Sequence, residues 1–315
     1  MLNRRLIRIK AFKVLYSSVC SSSTSLRSIE EELLHACEET RRLYYFMLQL
    51  PVALSRLANE RIELGLKKFQ PTEEEKNPNR KFADNALAAM LRRNDIYMTF
   101  CESQGLLWDG EQWMAYVKKL FARLLQEEYF QKYMASPTSS LREDCALFSR
   151  IYQQEFEDDE DLEQMLEDAS LYWVDDLGYV LNVILRTLSI VKSKEKLDLP
   201  PLFMKDDDRD FARELLVHSF AHYNEYLEMV KNNISNWDLD RLVVTDITLI
   251  IMGIAEAIRF DSIPVKVTIN EYVEVSKFYS TQNSKVFVNG LLDRLIRDLQ
   301  AKNVVVKRGA GLVEN

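Results

Sequence analysis

Pro264-Val265-Lys266-Val267-Thr268-Ile269-Asn270-Glu271, followed shortly by Phe287-Val288-Asn289-Gly290-Leu291-Leu292-Asp293, reads as two helix starts in succession with nothing catalytic between them. Pro264 ends a preceding helix, because the residue before a proline is pushed out of the α region. Thr268 and Glu271 have capping-box spacing, which predicts a helix N-terminus there. Ser284 stands where an N-cap belongs, ahead of a second helix from about Lys285. Within that helix Val288, Leu292, Leu295 and Leu299 recur at helical spacing.

Moving outward, the same period governs the residues before Pro264. Val243, Ile247, Ile250 and Ile254 predict a buried helix starting near Asn236-Trp237, in which Gly253 marks a close helix–helix approach. Its most apolar stretch, Leu242 to Ile258, contains Asp246 and Glu256 and reads as a core helix rather than a membrane span. Asp206-Asp207-Asp208 opens an earlier helix carrying Leu216, Phe220, Tyr223 and Leu227.

At the other end, a first helix is predicted from Arg4 to Tyr16. At 100° per residue Ile7, Ala11, Val14 and Leu15 form a core face, with Phe12 and Tyr16 on the flank near Arg5. Ser21-Ser22-Ser23-Thr24-Ser25 breaks the chain, and a second helix is predicted from about Ser28. Between 36 and 205 the chain reads as helical. A kink is expected at Pro51, a polar loop over 70–80, a capping box at Ser140 and Glu143, and a linker at Lys194 to Lys205. The expected fold class is all-α.

Composition agrees. Of 315 residues only 8 are Gly and 7 Pro, which favours long helices over turn-rich folds. No G-x-x-x-x-G-K-[ST] or G-x-G-x-x-G run occurs, so nucleotide-dependent chemistry has no support and no cofactor is expected. Net charge is −8, unevenly placed: residues 1–20 carry five bases and no acid, whereas 151–185 carry eleven acids and no base. A basic arm on an acidic chain suggests one local polyanion-binding surface. Cys20, Cys37, Cys101 and Cys145 form no C-x-x-C pair and read as buried thiols in a reducing compartment. With no apolar region after the basic start, a cytoplasmic protein without membrane contact is expected.

Four segments resemble the NusB family of bacterial RNA-binding factors in transcription antitermination. Arg4 through Tyr16 is similar to its arginine-rich first helix closing in Leu-Tyr, and Trp237 through Leu242 to its W-x-x-x-R-L segment. Pro264 through Glu274 is similar to P-x-K-V-x-I-N-E-x-V-E, and Ser284 through Asp293 to S-x-x-F-V-N-G-x-L-D. The resemblance covers about 1–35 and 206–315, with net charge −1. Residues 36–205, net −7, look like a helical insertion of unknown role.

The resemblance implies a NusB-like bundle of two small helical subdomains without enzymatic activity. It also implies binding of boxA-like single-stranded RNA in ribosomal RNA leader transcripts. Implied partners are the small-subunit ribosomal protein acting as NusE and the RNA polymerase elongation complex. Carried over by motif position, Arg4, Arg5 and Arg8 would line a phosphate track, with Tyr16 beside them. Tyr279 and Phe287 would offer ring faces, Asn283 and Ser284 base-edge hydrogen bonds, and Lys285 a phosphate contact. The bland alternatives are a solvated basic face and, for Tyr16 and Phe287, core packing.

The chain departs from the family at Ile9 and Gln282, where acids are usual, at Asn283, also commonly acidic, and at Ile251, usually Arg. Loss of the turn acids makes that turn friendlier to phosphate. Leu6 and Ile9 make the first helix apolar nearly all round, as if the insertion packed on it.

Weaker signals remain. His218 and His222 have metal-pair spacing, but Ser219 stands where H-E-x-x-H has Glu, so a structural role is expected and no metal. Asp158-Asp159 and Asp175-Asp176 read as a solvated acidic face. The run from Glu155 to Asp176 could fold back on Arg4, Arg5 and Arg8 and compete with RNA, or recruit a basic ribosomal protein. Competing functions are a protein scaffold using the acidic insertion and an accessory RNA-binding domain of an RNA-modifying system.

Overall fold

The computed structural model describes residues 1–21, 25–156, 158–234 and 243–312. The protein is all-α, and its backbone pairing beyond helices is one parallel bridge, Leu2 to Phe203, among the described residues. Two compact units result: Met1–Cys37 with Leu202–Asn315, and Glu38–Pro201.

The chain starts with α1 (Arg4–Ser21) and α2 (Leu26–Leu48), the latter running through the unit boundary. α1 is longer than the predicted Arg4–Tyr16, and the expected serine break lies partly outside the described residues.

The second unit continues with α3 (Leu50–Leu66), α4 (Glu73–Lys76), α5 (Ala86–Arg92), α6 (Asp95–Ser103), α7 (Glu111–Leu124), α8 (Glu128–Ala135), α9 (Leu141–Gln154), α10 (Glu160–Ala169) and α11 (Leu177–Lys194). Pro51 interrupts α2–α3 as expected, for a legible reason: it has no N–H to bond the Met47 carbonyl. Aromatic donors also bond to the last carbonyls of α2, of which Tyr45 O and Phe46 O accept from Gln49 N as well. Tyr97 Oη donates to Tyr45 O at 2.9 Å, Trp108 Nε1 to Phe46 O at 2.8 Å, and Tyr152 Oη to Met47 O at 2.7 Å. The 70–80 segment is not all loop: Thr72 and Glu75 form a reciprocal capping box that starts α4. Ser140 caps α9 by accepting from Glu143 N at 3.3 Å.

The first unit resumes with α12 (Asp208–Ala221), α13 (Tyr223–Asn232), α14 (Val244–Arg259), α15 (Val265–Tyr279), α16 (Ser284–Ala301) and a short 3-10 turn at Gly309–Leu312. The single helix expected after Asp206 is two, divided at His222. The predicted helix start at Asn236-Trp237, with the Trp237 to Leu242 segment, lies outside the described residues.

α14 is the axis of this unit, and α1, α12, α13, α15 and α16 all pack against it. Its residues Leu249 through Ala257 are buried without exception, as in a helix apolar all round. Val243, expected in the core, is exposed because it precedes the first turn. Gly253 serves the close approach its sequence context suggested: a Cβ there would come within 2.7 Å of Leu292 Cδ2 and 3.3 Å of Tyr272 Cδ2. No helix among the described residues is long and apolar enough to cross a membrane.

Candidate nucleic-acid interface

The arginines of α1 divide into inward and outward groups. Arg8 is 3% exposed and Glu256, on α14, is fully buried. Arg8 Nε donates to Glu256 Oε2 at 2.7 Å and Nη2 to Oε1 at 2.8 Å. Glu256 also accepts from Thr268 Oγ1 at 2.9 Å and Tyr272 Oη at 3.1 Å. Burial opposes the charge on Arg8, but the adjacent Glu256 outweighs it and holds the guanidinium well above its ordinary value. Arg8 is therefore a structural residue, and the phosphate contact expected of it is corrected. The helical wheel carried the signal, since Arg8 lies roughly 20° from Leu15, at the edge of the core arc.

Thr268 is corrected with it. α15 starts one turn earlier, after Pro264, so Thr268 is interior and its hydroxyl is spent on Glu256 rather than on capping.

Arg4 is also engaged. It donates to Asp208 Oδ1 at 3.0 Å and Asp207 Oδ2 at 2.7 Å, and its guanidinium lies 4.7 Å from the Phe211 ring centre. Arg5 points outward, with a side chain 53% exposed, and forks onto Glu271 at 3.0 and 2.8 Å. Partial burial works to raise the Glu271 carboxyl. The Arg5 hydrogen bond and the charges of Arg8 and Arg5 prevail and lower it. These partners, Asp207, Asp208, Glu256 and Glu271, are not those of the acidic run. There Glu155 and Asp159 pair with Arg123, Asp161 with Lys119, and Asp176 accepts from Thr40.

A buried carboxylate shapes the turn between α15 and α16. Asp246 Oδ1 accepts from Ser280 Oγ at 2.6 Å, and Oδ2 from Ser284 Oγ at 2.7 Å. Ser284 Oγ accepts from Thr281 N at 3.1 Å, and Thr245 Oγ1 lies 2.8 Å from Ser280 Oγ. Ser284 is thus buried and is corrected as a base-edge donor. It is the first residue of α16, and Asn283 occupies the N-cap position without a side-chain cap bond. Between the anchored serines, Thr281, Gln282 and Asn283 are exposed, as is Lys285 just beyond.

α1 runs beside α15 and reaches this turn. The Phe12 and Tyr279 ring centres are 5.7 Å apart, those of Phe12 and Tyr16 6.0 Å, and Lys13 Nζ lies 5.2 Å from the Tyr279 ring centre. Arg5–Glu271 and Lys13–Tyr279 both join residues 266 apart in sequence, so the two helices are parallel over at least eight residues, about 12 Å. Tyr16, Tyr279 and Phe287 are half-buried. A hydrogen bond with the Cys20 thiol raises the Tyr16 phenol, and Cys20 is exposed, contrary to expectation. Lys13, which the motif comparison did not single out, places its ammonium over the Tyr279 ring.

The two histidines of α12 and its C-terminus each have a hydrogen-bonding neighbour. His218 Nε2 lies 2.9 Å from Tyr226 Oη, and His222 Nδ1 2.8 Å from Glu225 Oε2. Among the described residues no group of three or more His, Cys, Asp or Glu could hold a metal ion.

The NusB family model matches residues 189–297, from within α11 to the last turns of α16. A Salinibacter ruber protein named transcription antitermination protein NusB is 34% identical over 113 residues, 36% of this chain and 71% of its own length. The chain belongs to the NusB family. A Methylacidiphilum infernorum relative of the same name is 40% identical over 102 residues, 32% of this chain and 69% of its own length. One from Chloroherpeton thalassium is 35% identical over 106 residues, 34% of this chain and 50% of its own. A solved structure of T. maritima NusB, 24% identical, covers 53% of this chain and 97% of its own. Its TM-score of 0.29 adds nothing to the fold described above. The matched NusB-family segment contains Glu256, Tyr272, Tyr279 and the Asp246-anchored turn, whereas α1 lies outside it.

Proposed function

We propose that this NusB-family protein is a non-enzymatic RNA-binding factor of transcription antitermination. It takes a boxA-like single-stranded RNA, as in ribosomal RNA leader transcripts, together with the small-subunit ribosomal protein that acts as NusE. The complex then joins the RNA polymerase elongation complex. In this reading residues 36–205 are an insertion into the family fold.

The observation that supports the reading best is the placement of Lys13 over Tyr279, beside the exposed turn 281–283. RNA presents phosphates that lysine and arginine neutralise, releasing counterions, and bases that rings can stack on. Arg5, Lys13 and Lys285 supply the cations on this face, and Tyr279, Tyr16 and Phe287 the rings. Gln282 and Asn283 add hydrogen-bonding side chains without negative charge. Arg8 and Ser284 act from beneath, by holding α1 and the turn in place.

The test is a fluorescence-anisotropy titration of a labelled boxA-like RNA with the full chain, with and without the ribosomal partner, across a salt series. Affinity should fall steeply with salt. Arg5→Ala, Lys13→Ala and Lys285→Ala should each weaken binding and flatten the salt slope by roughly 0.7 per lost phosphate contact. Binding that is absent, or indifferent to all three changes, would reject the reading.

A further inference from the structure

Among the side chains near this face, one aromatic ring is conspicuous for its surroundings. Phe278, in the last turn of α15, is 80% exposed. An exposed phenylalanine leaves most of its ring in water, and a single such residue needs no explanation. The position is what distinguishes this one. Phe278 follows Glu271 by seven residues, which places both within roughly 20° on the helix wheel. The strip of α15 on which Arg5 lands therefore continues, about 10 Å along, to Phe278.

The next residue is Tyr279, whose ring has Lys13 over it. On the other side Lys277 pairs with Glu274, and Lys285 stands exposed across the Asp246-held turn. The face that carries Phe278 thus holds Lys13 and Lys285, with the Arg5–Glu271 and Lys277–Glu274 ion pairs farther along α15. An apolar protein partner would have to cover the lysines of this face along with the ring. A single-stranded nucleic acid offers a flat base for the ring and phosphates for the cations.

We infer that Phe278 is a stacking platform for an unpaired base, with the neighbouring phosphates taken by Lys13 and Lys285. This rests on the RNA-binding reading above and adds a contact residue to it. The turn geometry supports the role: Asp246 anchors both serines, so the ends of α15 and α16 that carry Phe278 and Lys285 are held in fixed register. The bound base would stack on a rigid support, and little side-chain freedom would be lost, since phenylalanine has two rotatable angles.

The test uses the full chain and a fluorescein-labelled single-stranded boxA-like RNA, with Phe278→Ala, Phe278→Leu and Phe278→Trp alongside Lys13→Ala. Phe278→Ala should weaken binding roughly tenfold or more while leaving the salt slope unchanged, because a stacked ring releases no counterion. Phe278→Trp should bind at least as well as the parent. Phe278→Leu keeps apolar surface without a π face and should behave like alanine. Far-UV circular dichroism checks that each variant keeps its helix content. Parent-like affinity for Phe278→Ala or Phe278→Leu overturns the inference. If Lys13→Ala still weakens binding in that case, RNA binding itself stands. No RNA binding by the parent overturns both.

Discussion

Arg8 and Glu256 meet in a two-pronged ion pair inside the first unit, at 2.7 and 2.8 Å, with both residues almost wholly withdrawn from water. The pair ties α1 to α14 across 248 residues of sequence. Thr268 and Tyr272 complete the carboxylate's shell, so three helices converge on one charge. A charge buried this deeply is tolerated because every strong hydrogen-bonding site on it is occupied.

Removing one member leaves the other charged and unsolvated. Arg8→Met should lower stability by about 3–5 kcal/mol in urea denaturation, and Arg8→Met with Glu256→Leu should recover much of that loss. Arg8→Lys should not substitute, since an ammonium cannot reproduce the fork. A fully stable Arg8→Met variant would show that the pair is not holding α1.

Asp246 accepts from both turn serines, one on each carboxylate oxygen. Asp246→Ala removes the carboxylate acceptor of both hydroxyls, leaving only the contacts among Thr245, Ser280, Thr281 and Ser284, and should cost about 1–3 kcal/mol, read from the thermal midpoint. Hydrogen exchange at 280–284 should accelerate more than at α14. Unchanged exchange in the turn would remove Asp246 as its anchor.

Gly253→Ala adds a methyl group 2.7 Å from Leu292 Cδ2. Alanine favours a helix by about 1 kcal/mol over glycine, but overpacking a core costs about 1–3 kcal/mol. The net should be destabilising. Leu292→Val in the same chain should relieve part of it, and a double-mutant cycle measures the coupling.

Burial lowers the His218 imidazole, with His222 and Arg259 adding to the effect. The folded state thus prefers the neutral ring. Its contribution to stability is present above the ordinary value of about 6.5 and declines as pH falls through that range, levelling off below the lowered folded value. The thermal midpoint should therefore drop between pH 7.5 and 5.5, and less so in His218→Gln. The Glu271 carboxyl is lowered, so its contribution holds above about 4.5 and is lost only in stronger acid. Equal pH profiles for parent and His218→Gln would dismiss the histidine effect.

Tyr152→Phe removes the donor that replaces the missing N–H of Pro51 at the Met47 carbonyl. The buried carbonyl is left unpaired, at a cost of about 1–3 kcal/mol. Limited proteolysis at the α2–α3 junction should quicken; an unchanged cleavage rate would mean another group takes over.

The sequence by itself determined the all-helical class, the break at Pro51, the crowding at Gly253 and the buried row Val288, Leu292, Leu295 and Leu299. These are local matters, set by 3.6-residue periodicity, a missing amide proton and side-chain volume. It also showed a basic start on an acidic chain. Which bases face water was decided by the tertiary structure: the wheel sets Arg8 at the edge of the core arc, but the carboxylates that take Arg4, Arg8 and Arg5 lie roughly 200 to 270 residues away, and no local pattern reports such pairing. The same holds for Thr268 and Ser284, read as caps from their neighbours but claimed by Glu256 and Asp246 of a different helix. A hydroxyl or a guanidinium takes the strongest buried acceptor within reach, and reach is a property of the packed helices, not of spacing along the chain.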